Sequence, residues 1–284
     1  MSNSINNRYD FVFLFDVKDG NPNGDPDQDN LPRVDAEDQK GLVTDVCIKR
    51  KVRNYIEFKY PDESEKNTGH EIFIKQGNVL GSIIDKAKGK EIQDRKETLC
   101  KDYWDIRAFG GVLSIGEKGA GTVRGPVQFT FSRSLDRIFQ AEHTITRCAV
   151  ATEREKESQK DREHASTMGR KATVPYALYQ MHGFISAVDA AKTEFSEDDL
   201  KWLWEALLNA FEHDRSAARG EMNPRKLIIF KHESHLGNAR AGELFERVNV
   251  EKKKSVELPR AWSDYEVTVN KNNMPKGIVL DEKL

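Results

Sequence analysis

Near the start of this 284-residue chain, Phe11-Val-Phe-Leu-Phe15 sets five large apolar residues side by side. An unbroken apolar run of strand length has no polar face, so it predicts a strand covered on both sides. A chain this long supplies enough polypeptide for such a core, since it buries roughly 75% of the surface its unfolded form would expose. The run ends in Asn21-Pro-Asn-Gly-Asp-Pro26, a dense turn segment. Thr44 is placed to cap a helix, with Asp45 complementing the N-terminal dipole and Ile48, Val52, Tyr55 and Ile56 at helical spacing. Residues 61–69 read as loop. Val127, Phe129 and Phe131 alternate with Gln128, Thr130 and Ser132, which predicts a half-buried strand, and Leu178 to Val188 predicts a second. Ser196 with Asp199 opens a helix carrying Leu200, Leu203, Trp204, Leu207, Leu208 and Phe211 on one face. Leu227-Ile-Ile-Phe230 predicts another buried strand, and Glu243 to Val269 predicts short strands joined by charged turns. The order is strand, helix, strands, helix, strand. That is an α+β class, the split βαβ or ferredoxin-like arrangement that also contains the RNA-recognition motif. The aromatic signature of that motif is missing, so any nucleic acid has to be held another way.

Several function classes fall away. No apolar run approaches the ~20 residues of a membrane span, and Met1 to Arg8 carries no signal-peptide core. Cys47, Cys100 and Cys148 are odd in number and widely spaced, which argues against disulfides or a zinc knuckle and for a reducing cytoplasm. The acidic stretch Asp25-Pro-Asp-Gln-Asp29 begins like a calcium loop but has Asn30 at the glycine position and Ala36 at the closing glutamate. His232-Glu-Ser-His235 lacks the zincin pattern and, following a strand, reads as a surface turn. Gly116-Glu-Lys-Gly-Ala-Gly121 has no Lys-Ser/Thr ending and makes a weak nucleotide loop. No nucleophile elbow or acid–base pair stands out, so neither an enzyme nor a metal or cofactor is expected.

Net charge is −2, yet its distribution is uneven: four basic and nine acidic residues lie between Arg8 and Lys40, five basic and two acidic between Gly41 and Tyr60. Lys49, Arg50 and Arg53 fall within about a 100° arc of the expected helix, beside its apolar stripe. Forked guanidinium donors there suit phosphate oxygens; an ordinary solvated helix face is the alternative. Lys51, about 100° from Arg50 by the helical period, reads as an exposed cation off that stripe. Thr152 to Arg170 is nearly devoid of large apolar side chains apart from Met168, so it projects as an arm or forms a surface loop.

These segments together resemble a known family. Tyr9-Asp-Phe-Val-Phe-Leu-Phe-Asp16, Asn21–Pro26, Gly41-Leu-Val-Thr-Asp45, Lys49-Arg-Lys-Val-Arg-Asn54, Asp105-Ile-Arg-Ala-Phe-Gly-Gly111, Arg124-Gly-Pro-Val-Gln128 and Asp214-Arg-Ser-Ala-Ala-Arg-Gly220 resemble the backbone subunit of type I-C CRISPR Cascade complexes, in the RAMP superfamily. The resemblance spans nearly the whole chain in the expected order. It implies one domain over residues 1–284 with a discontinuous, modified RNA-recognition-motif core. Insertions are expected at 61–104 and, as a β-hairpin thumb, at about 148–172, with a C-terminal strand region at 240–284. It further implies a non-catalytic cytoplasmic protein that stacks with copies of itself along a guide RNA, beside other Cascade subunits, and leaves the bases free to pair with target DNA. Lys49, Arg50 and Arg53 then match the helix that holds guide phosphates. Met168 becomes a wedge against a base, with Arg170 and Lys171 near the backbone; Arg33, Arg107, Arg147, Arg215 and Arg219 lie in or beside matching segments. Type III relatives cut RNA with an aspartate in the loop after the first strand, where this chain has Asp25, Asp27, Asp29 and Asp35. A metal-dependent endoribonuclease is therefore the alternative reading.

Overall fold

The computed structural model describes residues 4–60, 69–116, 118–157 and 167–284. In chain order the elements begin with β1 (Tyr9–Gly20), the short pair β2 (Gly24–Asp25) and β3 (Leu31–Pro32), β4 (Lys40–Val43) and α1 (Asp45–Lys59). Next come α2 (Leu80–Lys86), α3 (Ile92–Asp102), α4 (Trp104–Phe109), the pair β5 (Gly110–Val112) and β6 (Thr122–Arg124), then β7 (Val127–Phe129) and β8 (Ser132–Arg137). β9 (Ala141–Arg147), α5 (Glu153–Glu157), β10 (Thr167–Ile185), α6 (Ala187–Thr193) and α7 (Glu197–Leu208) follow. The chain closes with β11 (Glu221–His232), α8 (Ala241–Phe245), β12 (Val248–Lys252), β13 (Tyr265–Val269) and β14 (Ile278–Lys283).

The expected doubly covered strand is the middle of a large antiparallel sheet, in the order β14-β11-β1-β10-β8-β4. Successive side chains of a strand point to opposite faces, so the apolar run of β1 divides between two cores. Phe11, Phe13 and Phe15 join Ile48, Val52 and Ile56 of α1 and Leu200, Leu203 and Leu207 of α7. Val12 and Leu14 face the other way, onto Leu178, Ile228 and Phe230, and are closed over by Leu244 of α8, Val248 of β12 and Tyr265 of β13. Phe11 lies opposite Gly183 in the register, and a Cβ there would come within 2.0 Å of its ring. Glycine at that point is what lets β10 close on the phenylalanine face.

Both long helices start where the capping residues stand. Thr44 Oγ1 accepts the Cys47 N–H at 3.3 Å, and Ser196 and Asp199 form a reciprocal capping box at α7. Each cap contributes about 1 kcal/mol. Tyr55 and Lys59 of α1 donate to Glu205 of α7, fixing the two helices against each other. A third apolar cluster, from Phe73 to Val123, is built from α2, α3, α4 and the β5–β6 pair.

Four sequence expectations need correction. Phe131 is 52% exposed and lies beyond the end of β7, because Thr130 turns its N–H and hydroxyl to the His182 carbonyl. The strand expected at Leu178 to Val188 starts at Thr167, and Val188 belongs to α6. His232 is buried, not part of a surface turn: its Nδ1 accepts the Asn238 N–H at 2.8 Å and its Nε2 faces Asp10 at 2.9 Å. Lys51 is buried as well, as described below. The loop expected at 61–69 lies outside the described residues except for Gly69, as do residues 158–166 of the expected arm.

Candidate nucleic-acid interface

The cations of α1 divide sharply by environment. Arg50 is exposed and no described carboxylate pairs with it. Lys49 reaches back one turn to Asp45 at 3.0 Å, and its ammonium lies 5.6 Å from the Phe109 ring and 6.0 Å from Phe129. Arg53 donates through Nε to Asp105 at 2.8 Å, and its guanidinium stands 5.2 Å from the centre of Phe109. Phe109 therefore serves as a floor under both cations, a favourable placement for positive charge over an aromatic face. The chain leaves α4 through Gly110, at φ +72°, where a Cβ would strike the Val123 carbonyl at 2.3 Å. Lys51 turns inward instead, to Asp214, with its ammonium 5.6 Å from the Phe211 ring and its side chain 2% exposed. The helical period gave its direction but not what lay there.

Around the N-terminus of α1 two loops converge. Asn23 Oδ1 accepts both the backbone N–H and the hydroxyl of Thr44. Arg219 donates to the carbonyls of Asn21 and Pro22, at 3.3 and 2.8 Å, and approaches Asp214 at 3.4 Å. Arg33 lies 3.4 Å from Asp25, and Arg215 forms an exposed pair with Glu212. Arg219 thus stands at the N-terminal end of α1, with Arg33 across the adjoining turn, while the loop that carries Arg215 runs along the helix, its Asp214 at Lys51 and its His213 at Phe58.

Beyond that turn, β9 pairs with the first seven residues of β10, from Thr167↔Arg147 to Thr173↔Ala141. Most of β9 is exposed. The start of β9 is tied to the acidic turn, since Gln140 donates to the Pro32 carbonyl at 2.5 Å. Arg170 is exposed, Lys171 half-buried, and Arg147 donates to the Ala149 carbonyl. The Met168 backbone pairs with Thr146; its side chain lies outside the described part of the structure.

Arg107 does not belong to this surface. It is buried, with Nε and Nη2 on the two oxygens of Asp199 at 3.0 and 2.8 Å. Its remaining donors go to the carbonyls of Cys100, Lys101 and Gly69. All five N–H donors of a guanidinium are thereby matched inside the fold, so none is left for a phosphate.

Two polar arrangements escaped the sequence reading. Asp105 is fully buried and accepts the backbone N–H groups of Phe73 and Ile74 at 2.8 and 3.0 Å as well as Arg53. Asp10 is held by Arg8 and His232. Neither carries a sequence signal beyond a charged residue within an apolar context.

In the acidic turn, Asp25 caps the short helical turn at Pro26–Gln28 and faces Arg33. Asp35 accepts the Glu37 N–H and meets Arg133 at 2.6 Å; the first bond and then Arg133 hold its carboxyl below the ordinary range. Asp27 and Asp29 are exposed. Among the described residues no group of three His, Cys, Asp or Glu side chains is placed to share a metal ion, and no helix is long and apolar enough to cross a membrane.

Comparison with known proteins agrees with this architecture. A family model described as CRISPR-associated protein Cas7 matches residues 7–270. The chain is 25% identical over 269 residues to a CRISPR-associated protein Cas7 of Haloferax volcanii, covering 84% of this chain and 74% of that one. Its fold is similar to a chain in a CRISPR RNA-guided surveillance complex, pre-nicking, with TM-score 0.51, 13% identity and 78% of each chain covered. A chain of another CRISPR RNA-guided surveillance complex aligns with TM-score 0.46 and 14% identity, over 78% of this chain and 68% of that one. With a family match running across almost its entire length, this chain belongs to the CRISPR-associated Cas7 family.

Proposed function

We propose that this chain is the guide-RNA-binding backbone subunit of a type I-C CRISPR surveillance complex, non-catalytic and cytoplasmic, repeating along one RNA beside other Cascade subunits. The observation that carries this reading is the placement of cations. Arg50 and Arg53 lie on α1, and Arg215 and Arg219 on the loop that runs along it, while the sheet face opposite the helices is filled by α8 and the β12–β13 pair. Bases therefore have no open aromatic platform on the sheet, and the backbone of the RNA is what the chain grips. The neighbouring strands β11, β1, β10 and β8, with α1 and α7 on one face, follow the split βαβ order, which supports a modified RNA-recognition-motif core. The β9–β10 hairpin is read as the thumb that reaches the next copy. Contacts limited to phosphates carry no sequence information, so the guide's bases stay available to a DNA target.

The test is to purify the chain from cells that carry its guide array, extract the nucleic acid and sequence it. Short RNAs derived from the array are expected, and their length should persist on incubation with Mg²⁺. Absence of RNA would sink the binding role; shortening of the RNA would favour a ribonuclease centred on the acidic turn.

A further inference from the structure

We infer that Asp105 is a positioning residue: it holds Arg53 by one edge so that the opposite edge of the guanidinium receives a single backbone phosphate. This rests on the guide-RNA reading given above and adds to it a second residue, one that never touches RNA.

The geometry sets Arg53 apart from its neighbours. Arginine has five donors in a planar fork, and Arg53 uses Nε alone, on Asp105 Oδ2. No described acceptor engages its two terminal nitrogens, although the side chain is only 11% exposed. Arg107, on the same short helix as Asp105, is filled on every donor. The same type of side chain is therefore closed at one place and half open at the other.

Asp105 is also unable to swing. Its two oxygens are fixed by the Phe73 and Ile74 amides, and the carboxylate is fully buried. Phe109 blocks one face of the guanidinium. An arginine held at Nε and backed by a ring has its free fork pre-oriented, which suits bidentate contact with phosphate oxygens. Lys49, resting on the same ring, adds a point charge one turn away. A phosphate seated here would be gripped by a rigid pair, whereas Arg50 offers a mobile contact.

RNA affinity, measured by fluorescence anisotropy on two RNAs of unrelated sequence across a salt series, tests the assignment. Arg53→Ala and Arg53→Lys should each weaken binding about tenfold and lower the slope of log affinity against log salt by about 0.7, the value for one contact on a single strand. Lysine retains a charge for Asp105 but has no fork to present, so its melting temperature should stay at the wild-type value. Asp105→Asn keeps one acceptor oxygen where the carboxylate uses two and removes the charge opposite Arg53, and should weaken binding by the same factor. Combined with Arg53→Ala it should cause no further loss. Wild-type affinity in Arg53→Lys, or an additive loss in the double variant, overturns the inference. If Asp105→Asn fails to fold, Arg53→Lys decides alone, since it leaves Asp105 and both amides in place. A wild-type chain that binds no RNA would overturn the guide-RNA reading and this inference together. Weakening in Arg50→Ala with none in Arg53→Ala would overturn this inference alone.

Discussion

Replacing Arg107 with alanine separates a structural arginine from an RNA contact. The substitution removes both bonds to Asp199 and the donors that meet the last carbonyls of α3 and the Gly69 carbonyl. Asp199 keeps the Ser196 N–H and hydroxyl at 2.7 and 2.8 Å, so its carboxylate is not left bare. Removing one partner of a buried pair costs about 3–5 kcal/mol, and the retained capping bonds put the loss near the middle, about 4 kcal/mol. For a chain of this size that corresponds to a fall in Tm of roughly 7 °C. Lysine at the same position has a single donor group for five acceptor positions and should recover only part of the loss. Thermal unfolding followed by circular dichroism gives the stability, and the salt series gives RNA contacts. Arg107→Ala should melt early yet, below its transition, keep the wild-type salt slope. A wild-type melting temperature joined to a reduced slope would refute the burial argument and restore Arg107 to the interface.

Lys51→Met keeps the buried stem but removes the charge opposite Asp214, which retains Arg219; a loss of about 1–3 kcal/mol is expected, against less than about 0.5 kcal/mol for Arg50→Ala, and equal melting temperatures would contradict the inward course of Lys51. In thiol labelling of the native chain at pH 8, Cys148, which is exposed, should react first. Cys100 should react last, its thiol pushed up to about 11 by burial, and Cys47 slowly for the same reason; peptide mass spectrometry showing Cys100 modified as fast as Cys148 would count against that packing.

What the sequence revealed was whatever depends on near neighbours. The Phe11–Phe15 run, the Thr44 cap and the Ser196–Asp199 box declare themselves within a few residues, and the structure bears each of them out. The cations show where this reading stops. Lys49, Arg50, Lys51 and Arg53 are equivalent by composition and differ only in what the remote chain sets beside them. Lys51 meets Asp214 and Phe211 because the chain leaving α7 packs on α1, and Arg53 meets Asp105 because α4 comes to lie beside it. The same holds for Arg107, whose motif suggested an exposed role and whose partner lies on α7. His232 looked like a turn residue because Asp10, its partner, stands at the other end of the sequence.

The position of β1 has a consequence for the chain as it is made. Tyr9 pairs with Ile185 on one side and Lys231 on the other, so the central strand leaves the ribosome long before either neighbour exists. At about 5–20 residues per second, its first partner follows after roughly 10–35 s and its second some seconds later. During that interval the Phe11–Phe15 run is an unpaired apolar segment with the features of an aggregation-prone strand. The last segments to appear, β12 to β14, are the ones that close the second face over Val12 and Leu14. Completion of the sheet around β1 thus waits on strands from Thr167 onward, and slowing translation between β1 and β11 would prolong the exposure of that strand.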